Sequence, residues 1–432
     1  MGKKIAITTL GTLGDINPML GLALELKRRG HHISFSTSKY FQPYIEKHGL
    51  TFHEVKPNLD PNNSEIIQTV LDPKRGPERF HRNIIFPHIT ESYRSFLKVA
   101  DKADLIISGI LSYFAPLCAK KLQKRWVSVM LSPMTFWSIY DPPVIPTMEF
   151  MKYAYRFGPD FNRFLFREIF RVSKEWTKPV QELKLQEGIW DESNPLTDGA
   201  ASEYLNLGLY SPLLGEIQPD FPANSLLTGF VLFDQHLNHQ ELSPRLRNFL
   251  QKGKPPVVFT LGSNSVMKHR CLFNLFYEVA QQLNSRSVIL TGEANYAKFK
   301  GLSDDKILFD SYAPYSQLFP HASCIVHQGG IGTTGQAMHS GKPMIILPEC
   351  NDQHDNLERT KRLGIACGIP MQRVSIRTLK RGLQELLSTS YYTHKAMQVA
   401  SALNQENGLK TATDEIEKLL KAKEISSLKA SC

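Results

Sequence analysis

The stretch HQGGIGTTGQAMHSGKPMIILPECNDQHDN, residues 327–356, joins a glycine turn, a helix start, a buried strand and a loop rich in acidic and amide side chains. A short apolar run at 323–326 precedes it and is typical of a parallel strand. His327 and the glycines after it follow the carboxyl end of that strand, where open α/β sheets bind their ligands. The order of these parts predicts one βαβ unit with a ligand site at its turn.

The start of the predicted helix has the features of an anion-binding site. Gly332, Thr333 and Thr334 open this helix, so free backbone N–H groups and the positive end of the helix dipole face the crevice. A diphosphate could be held there, with His327 and the threonine hydroxyls as additional donors. Gly341 is predicted to end the helix in a left-handed conformation. The same glycines could also serve only to pack a turn tightly.

The loop after the next strand could hold a sugar. Lys342–Leu347 is predicted as that strand, and Pro348 ends it. Glu349, Asp352 and Gln353 follow, and their side chains could hydrogen-bond neighbouring sugar hydroxyls. Together with the histidine and the glycine turn, these residues favour a nucleotide diphosphate carrying a sugar over a turn that only packs.

The bulk composition indicates a folded protein with more than one domain. The chain has 432 residues, of which 42% are hydrophobic and 21% charged, as is typical of globular proteins. No run approaches the roughly 18 apolar residues of a spanning helix. The N-terminus is predicted to be a β-strand rather than a signal peptide. The six cysteines are scattered without CxxC spacing, which argues against disulfide or zinc frameworks and favours the reducing cytoplasm.

The formal charge of +10 needs a partner, and nucleic acid lacks a supporting motif. Between Met151 and Trp176, basic and aromatic residues are interleaved with only three acids. Such a segment could be an interfacial amphipathic helix on an anionic membrane. It could instead be a helix pair with a core of aromatics and a solvated basic surface. The residues concerned are Lys152, Arg156, Arg163, Arg167, Arg171 and Lys174, with Tyr153, Tyr155, Phe157, Phe161, Phe164, Phe166 and Phe170.

Strand-like and helix-like segments alternate through both halves of the chain. This alternation predicts two Rossmann-like, doubly wound α/β domains facing each other across a cleft. Their predicted bounds are 1–235 and 236–432, and a last helix over 414–425 can pack back on the first domain. Strands are predicted at Lys4–Leu10, Ile33–Thr37, Asp104–Ser108, Trp126–Leu131 and Leu226–Leu232, and then at 257–262, Ser287–Leu290 and Ile307–Phe309.

The first loop, GTLGD at residues 11–15, leads into a predicted helix. Asn17 is predicted to cap this helix, with Pro18 at its first position and Gly30 at its end. The loop lacks the GxGxxG pattern, and no acid ends the second strand at Thr37. Both absences disfavour a dinucleotide-dependent oxidoreductase.

Five sequence blocks together carry a resemblance to a known family, in this order and spacing: GTLGDINP at 11–18, TLGS at 260–263, YAP at 312–314, HQGGIGTT at 327–334 and NDQHDN at 351–356. The two halves resemble the GT-B glycosyltransferases that use nucleotide sugars. Within them, the chain is most similar to the sterol, rhamnolipid and glycopeptide-antibiotic branch of the UDP-glycosyltransferase superfamily. The resemblance implies a GT-B fold and a hexosyltransferase activity.

The resemblance further implies that the C-terminal domain binds the nucleotide sugar. Tyr312 would stack on the nucleobase, and Ser263 would contact the diphosphate. Asp352 and Gln353 would hold the sugar hydroxyls, and Gln353 is associated with glucose-type donors. The implied donor-binding residues are Gly14, Ser263, Tyr312, Ala313, His327, Gly329, Gly330, Gly332, Thr333, Thr334, Asp352 and Gln353.

One position departs from the family pattern and leaves the nucleotide open. Many plant members have a ribose-binding Glu eight residues after the His, where this chain has Gly335 followed by Gln336. The donor can therefore be a UDP-sugar such as UDP-glucose, or a dTDP-sugar.

The resemblance assigns the chemistry to Asp15. Plant members carry a catalytic His at this position, whereas the antibiotic and sterol branch has Asp. Asp15 would take the proton of the acceptor hydroxyl as general base, in one displacement with inversion. The helix end and His327 would stabilise the leaving diphosphate, with no metal and no cofactor beyond the nucleotide-sugar co-substrate. Asp15 could instead be a cap or turn residue.

The acceptor is predicted from aromatic residues in the first half. Phe136, Trp137 and Tyr140 favour an apolar acceptor with a hydroxyl group, such as a sterol, a lipid or a natural product. Two alternatives remain open: a non-catalytic lipid-binding protein on a decayed transferase scaffold, and a rhamnosyltransferase that uses dTDP-rhamnose. The expected location is cytoplasmic, with peripheral contact to the inner face of the membrane left open.

Overall fold

The computed structural model describes residues 2–60, 63–70, 72, 74–233, 241–262 and 269–422. Within this part of the chain, helices flank two β-sheets whose neighbouring strands are all parallel. The first sheet has the order β3-β2-β1-β4-β5-β6-β7. Its strands are β1 Lys4–Thr8, β2 His32–Thr37, β3 Thr51–Glu54, β4 Leu105–Gly109, β5 Trp126–Met130, β6 Leu205–Gly208 and β7 Ser225–Leu227.

The second sheet has the order β10-β9-β8-β11-β12-β13. In each sheet the strand order reverses next to the first strand, as in doubly wound folds, and ligands bind beyond the carboxyl ends of strands at that point. The strands are β8 Val257–Phe259, β9 Ser287–Leu290, β10 Ile307–Asp310, β11 Cys324–His327, β12 Met344–Ile346 and β13 Ala366–Gly368.

Helices connect the strands and cover both sheets. Among the described residues, the α-helices of the first half are α1 Leu13–Arg28, α2 Gln42–Lys47, α3 Ser64–Val70, α4 Gly76–Arg79, α5 Ile89–Ala100, α6 Ala115–Leu122, α7 Pro159–Ser173 and α8 Lys178–Gln186. Those of the second half are α9 Pro244–Gln251, α10 Arg270–Leu283, α11 Glu293–Phe299, α12 Tyr315–Leu318, α13 Ile331–His339, α14 Gln353–Arg362, α15 Ile376–Ser388, α16 Ser390–Leu403 and α17 Gly408–Lys421. None of the described helices combines the length and the apolar character needed to cross a membrane.

Apolar strands buried on both faces explain why the sheets are parallel and central. Every residue of β4 and β5 is buried, and so is every residue of β9 and β11. Large hydrophobic clusters lie on both sides of each sheet. The carboxyl ends of β1, β11 and β12 are therefore fixed on rigid supports.

The last described helix packs on the first domain. Ala412 and Ile416 of α17 are fully buried in the same hydrophobic cluster as Ile16 of α1. Arg29 donates to Asp414, at 2.6 Å, and to Glu417, at 3.2 Å. Helix α17 thus ties the C-terminal end of the described chain to the N-terminal sheet. The predicted boundary at 235/236 falls at residues outside the described ranges and stays a prediction.

Most strand predictions are confirmed within two residues, but the first helix is not. Helix α1 begins at Leu13 with Thr12 as its cap, so Asn17 and Pro18 lie inside it and the prediction that they start it is wrong. Its acidic first turn and capping box, rather than the proline, mark the true start. Leu226–Leu232 was also predicted too long, because only Ser225–Leu227 pairs in the sheet.

Candidate active site

Asp15 is placed by the loop that follows β1. Thr12 caps α1, and its hydroxyl accepts the N–H of Gly14 at 3.2 Å. The backbone N–H of Thr12 donates to Oδ2 of Asp15 at 2.8 Å, which completes a capping box. Gly11 has a positive φ of 133°, and a Cβ there would lie 2.2 Å from Oδ2 of Asp15. Glycine at this position therefore leaves room for the carboxylate.

The capping role leaves one oxygen of Asp15 available. Oδ2 takes both contacts from Thr12, and Oδ1 has no hydrogen bond within the described residues. The side chain is partly exposed. Burial nevertheless raises the pKa of Asp15 to about 6, and the hydrogen bonds from Thr12 offset only part of this effect. A carboxyl with such a pKa can accept a proton near neutral pH.

Asp352 has the same arrangement on the second domain. Its Oδ2 accepts the N–H of Ile331, the first residue of α13, at 3.2 Å and Nδ2 of Asn356 at 2.8 Å. Its Oδ1 has no hydrogen bond within the described residues. Burial raises the pKa of Asp352 to about 6, and the negative charge of Asp15 raises it further. The carboxyl of Asp15 is therefore close enough to Asp352 to influence its pKa across the domain junction.

His327 ends β11, and its predicted role as a donor to a diphosphate stays a prediction. Its ring is fully buried. Nδ1 accepts the N–H of Gly329 at 3.1 Å, and Nε2 lies 3.4 Å from Sδ of Met344 on the neighbouring strand. Burial lowers the pKa of His327 to about 3, so the ring is neutral. Its observed role is to hold the glycine turn.

The remaining polar residues of this region either form hydrogen bonds to the backbone or stay partly exposed. Oε1 of Gln353 accepts the N–H groups of Glu349, at 2.8 Å, and Cys350, at 3.2 Å, which leaves Nε2 as its donor. The hydroxyl of Thr334 donates to the carbonyl of Gly330 at 3.0 Å and is buried, so it is not the additional donor that was predicted. Thr333 is partly exposed at the start of α13.

The glycines of α13 and its turn have different surroundings. Gly329 has a φ of +93°, and a Cβ there would lie 2.6 Å from Ile346. A Cβ at Gly332 would meet open space, and the residue is partly exposed. Gly335 packs against Phe230, whose ring would lie 2.9 Å from a Cβ. Phe230 thus fills the space where a longer side chain at position 335 would extend.

The other predicted donor-site residues are distributed as follows. Gly14 is exposed in the first turn of α1, and Gly330 is partly buried at the cap of α13. Tyr312 is partly exposed just after β10, while the side chain of Ala313 is buried in the hydrophobic core. Ser263 lies outside the described residues. Within the described ranges, no three His, Cys, Asp or Glu side chains are grouped so as to hold a metal ion.

Two of the three predicted acceptor residues are used for packing. Phe136 is 9% exposed, and its ring stacks on Phe221 with 4.0 Å between centroids. Trp137 packs edge-on against Phe170, at 4.9 Å between centroids, on α7. Tyr140 remains exposed. The ring of Phe136 is therefore buried and that of Tyr140 is accessible, and the acceptor-binding roles stay predictions.

A buried ion-pair network, which the sequence analysis missed, joins the two domains next to Asp352. Arg359 of α14 is 2% exposed, and its Nε donates to Oδ2 of Asp355 at 2.7 Å. Its Nη1 donates to Asp141, in the loop after β5, and to the carbonyl of Leu214 at 3.2 Å. Arg362 also donates to Asp141, at 3.1 Å. We call Arg359, Asp355 and Asp141 the interdomain clasp.

Electrostatics keep Asp141 of the interdomain clasp ionised. Burial alone would raise the pKa of Asp141, but the guanidinium groups of Arg359 and Arg362 outweigh burial, so its pKa lies below the ordinary value. The backbone N–H of Val144 donates to Oδ1 of Asp355 at 3.0 Å, which adds a second link between the domains. Since α14 begins next to Asp352, the interdomain clasp fixes the loop before α14 relative to the loop after β5.

Comparison with known proteins agrees with this geometry in both halves. Residues 5–108 match the glycosyltransferase family 28 N-terminal domain. Residues 280–419 match the C-terminal domain of the erythromycin biosynthesis protein CIII-like family. The solved structure of CalG4, the calicheamicin glycosyltransferase, superposes with a TM-score of 0.71 over 99% of this chain and 100% of that one, at 16% identity.

Curated relatives extend the match along the whole chain. O-mycaminosyltylonolide 6-deoxyallosyltransferase of Streptomyces fradiae is 27% identical over 95% of this chain and 96% of its own length. Sterol 3-beta-glucosyltransferase of Pichia angusta is 25% identical over 96% of this chain, which spans only 33% of that relative. The fold and the relatives define a glycosyltransferase of the GT-B type. The chain belongs to the UDP-glycosyltransferase superfamily.

Proposed function

We propose that this enzyme is an inverting glycosyltransferase that moves a hexose, glucose in the first instance, from a UDP- or dTDP-sugar to a hydroxyl of an apolar acceptor. The observation that carries the proposal is the electrostatically interacting pair of carboxyls, Asp15 from one domain and Asp352 from the other. Each has its Oδ2 engaged at a helix start and its Oδ1 open. With such a pair, one carboxyl can contact the acceptor while the other contacts the sugar of the donor.

In this proposal Asp15 is the general base. The acceptor hydroxyl would attack the anomeric carbon, and its proton would pass to Oδ1 of Asp15 as the new C–O bond forms. The bond between the anomeric carbon and the diphosphate oxygen would break in the same step, and the nucleoside diphosphate would leave. The pKa of about 6 supports the assignment, because the carboxyl is mostly ionised at pH 7 and still basic enough to take a proton.

The donor would lie against the start of α13. The first N–H groups of an α-helix have no partner within it, and here those of Gly332 and Thr333 would receive the diphosphate charge. The proposal therefore assigns stabilisation of the leaving group to the helix end, without a metal or other cofactor. Tyr312 would stack on the nucleobase. Oδ1 of Asp352 and Nε2 of Gln353 would bind sugar hydroxyls.

The surroundings of position 335 leave the nucleotide as either UDP or dTDP. An acid at position 335 could bind a ribose hydroxyl, but the ring of Phe230 lies 2.9 Å from a Cβ at Gly335. Gln336, the next residue, is 8% exposed. Discrimination between ribose and deoxyribose would therefore need another residue.

The acceptor and the location are proposed from the relatives and from composition. The relatives named above act, by their names, on O-mycaminosyltylonolide and on a sterol. A sterol is an apolar molecule with a hydroxyl group, and exposed Tyr140 would suit such a surface. A cytoplasmic location agrees with the free thiols of the five described cysteines. Contact with the inner face of a membrane is a separate hypothesis, because it rests on a different surface of the molecule.

A donor-by-acceptor screen tests this function. UDP-glucose and dTDP-rhamnose are each incubated with a panel of sterols, hydroxylated lipids and polyphenols, and products are identified by mass spectrometry. We expect a hexoside of at least one apolar acceptor, and inverted configuration at its anomeric carbon by NMR. If neither transfer nor donor hydrolysis is detected with any nucleotide sugar, the chain is a non-catalytic binding protein.

A further inference from the structure

The segment from 149 to 173 exposes aromatic rings that a folded protein normally buries. It comprises a 3-10 helix, Glu149–Phe157, followed by α7. All five rings between residues 153 and 164 are exposed: Tyr153 by 47%, Tyr155 by 54%, Phe157 by 61%, Phe161 by 40% and Phe164 by 53%. The hypothesis that these aromatics form a core is therefore wrong for these five. Contiguous exposed apolar surface marks an interaction site rather than ordinary scatter.

The inner side of the same segment is a normal packing surface. Met151, Ala154 and Phe166 are buried together in a small hydrophobic cluster, with Trp137 and Phe170 packed against it. The segment is thus anchored to the first domain, and its outward rings are presented by a folded support. Phe157 and Phe161 also touch each other, with 5.1 Å between ring centroids.

Basic side chains surround these exposed rings. Arg163, Arg167 and Arg171 project from α7 at intervals of four residues, so they share one side of the helix. The guanidinium of Arg167 lies 5.5 Å from the ring centroid of Phe164. That of Arg156 lies 5.4 Å from the ring of Tyr153. The charges of Arg167 and Arg156 are therefore held beside rings.

The acids on this surface neutralise only part of the charge. Asp160 pairs with Arg163, and Glu168 pairs with Arg171 at 2.9 Å. Glu168 also lies 3.8 Å from Arg167. Within the described residues, Lys152 and Arg156 contact rings and no carboxylate. Residues 151–176 contain six bases and three acids, so the surface carries net positive charge.

We propose that this aromatic–basic face docks on an anionic lipid bilayer. By the aromatic–basic face we mean the five exposed rings listed above with Lys152, Arg156, Arg163, Arg167 and Arg171. Amphipathic rings settle at the headgroup level of a bilayer, and basic side chains bind the lipid phosphates around them. A second copy of the chain is disfavoured, because a two-fold interface would set each positive face against another.

The position of the face gives docking a consequence for the acceptor. On its inner side α7 contacts Trp137, whose loop also carries Asp141 of the interdomain clasp. A lipid acceptor leaving the bilayer would therefore arrive beside the domain junction. This consequence rests on the proposed transfer to an apolar acceptor, whereas docking itself does not.

Vesicle co-sedimentation of the full chain, without donor or acceptor, tests docking. Phosphatidylcholine vesicles are compared with and without phosphatidylglycerol. We expect anionic vesicles to bind the chain at least about tenfold more tightly than neutral ones. The triple variants F157S/F161S/F164S and R156Q/R163Q/R167Q should each lose at least about tenfold in affinity for the anionic vesicles.

Matched controls lie elsewhere on the surface. Trp190, which is 89% exposed, and Ile217, which is 52% exposed, are replaced in W190S/I217S, and two exposed lysines in K252Q/K254Q. Both control variants should bind vesicles as the wild type does. Thermal unfolding checks that every variant is folded, and the single variants F157S and R167Q replace any triple variant that is not.

Three results would overturn the proposal: equal binding to neutral and anionic vesicles, wild-type binding by folded face variants, or loss of a dimer in those variants by light scattering. Failure of the proposed function would show differently. An inactive protein would still bind vesicles, because no substrate is present in this assay. If the function holds and docking fails, the face variants transfer sugar to a water-soluble acceptor and to a vesicle-embedded acceptor as fast as the wild type.

Discussion

Asp15 and Asp352 have equivalent hydrogen-bonding environments, but the chain provides them in different ways. Asp15 lies three residues after Thr12, and the capping box that holds it is contained in one turn of α1. Asp352 lies 21 residues after Ile331 and caps α13 only because the chain has passed through another strand in between. Each carboxyl uses Oδ2 at a helix start, and its Oδ1 has no hydrogen bond within the described residues. Local sequence sets the first position, and tertiary packing sets the second.

This difference predicts how the surroundings of Asp15 and of Asp352 respond to substitutions. The Asp15 side depends on Gly11 and Thr12, which lie within four residues of it. The Asp352 side depends on contacts from Asn356, on the buried glycine turn and on the interdomain clasp. Changes on the first side should therefore affect chemistry with little effect on folding. Changes on the second side should affect both.

The largest effect is expected for Asp15→Asn. Asparagine can still accept the N–H of Thr12, so α1 should remain capped, but the base is lost. We expect kcat to fall by about 10²–10⁴-fold with the donor KM unchanged. Steady-state kinetics at pH 7.5 measure this. Asp104→Asn is the matched control, because Asp104 also accepts a backbone N–H, from Lys4 at 2.7 Å, at the amino ends of β1 and β4, whereas Asp15 follows the carboxyl end of β1. Turnover of D15N near the wild-type rate would end the base assignment.

Arg359→Met should be the most destabilising change. It leaves Asp355 buried without its guanidinium partner and removes the link to Asp141, and breaking a buried pair costs about 3–5 kcal/mol. Arg362→Met removes a half-exposed arginine from the same Asp141 and should cost at most about 1 kcal/mol. Urea unfolding compares the two variants. Equal losses would show that the interdomain clasp does not stabilise the domain junction.

Asp352→Asn should lower activity and raise stability. Loss of a charged hydrogen bond to the sugar costs about 1.5–3 kcal/mol, which is roughly 10–100-fold in kcat/KM. The folded-state pKa of about 6 lies above the ordinary value, so the stabilising contribution of Asp352 is fully present below pH 3.8 and is lost as the pH rises through 6. At pH 7.5 the ionised carboxyl costs up to about 3 kcal/mol, which asparagine avoids.

Thermal unfolding measured at pH 5 and at pH 7.5 checks this second effect. The D352N variant should melt at a higher temperature than the wild type at pH 7.5, with a smaller gain at pH 5. A gain that is independent of pH, or a loss at pH 7.5, would contradict the raised pKa of Asp352.

The smallest expected effect is a difference in the free energy of unfolding between alanine variants of two glycines of α13. Gly335→Ala places a methyl group 2.9 Å from the ring of Phe230 and should destabilise the protein by about 1–3 kcal/mol. Gly332→Ala meets open space and should be neutral or slightly stabilising, because alanine favours helix. Urea unfolding separates them. Similar stability of both variants would mean that Phe230 does not restrict position 335.

Much of the fold was predictable because it depends on local patterns. The Val- and Ile-rich strands β1, β4, β5 and β9 were found from their apolar runs alone. The strands β6 and β13 were missed, since they are short and contain asparagine or glycine, which are uncommon in strands. The start of α1 was misjudged although its signal, Thr12 followed by Asp15, was present.

The site was only partly predictable because burial and distant pairing are not written in local patterns. The burial of the His327 ring against Met344 on the adjacent strand was not predicted. Asp355 and Arg359 have helical spacing that indicates a pair, yet nothing local indicates that the pair is buried. Its partner Asp141 is 218 residues away in sequence. Such contacts follow from tertiary structure.

The pH dependence of kcat/KM tests the central claim, that Asp15 is the base of an inverting transfer, most directly. Asp15 and Asp352 interact, so their apparent pKa values belong to the pair, and the profile is measured for the wild type, D15N and D352N. We expect the wild-type kcat/KM to fall tenfold per pH unit below about pH 6, since the base is then protonated. D352N should retain such an acid limb, and D15N should lose it. An unchanged acid limb in D15N would contradict the account.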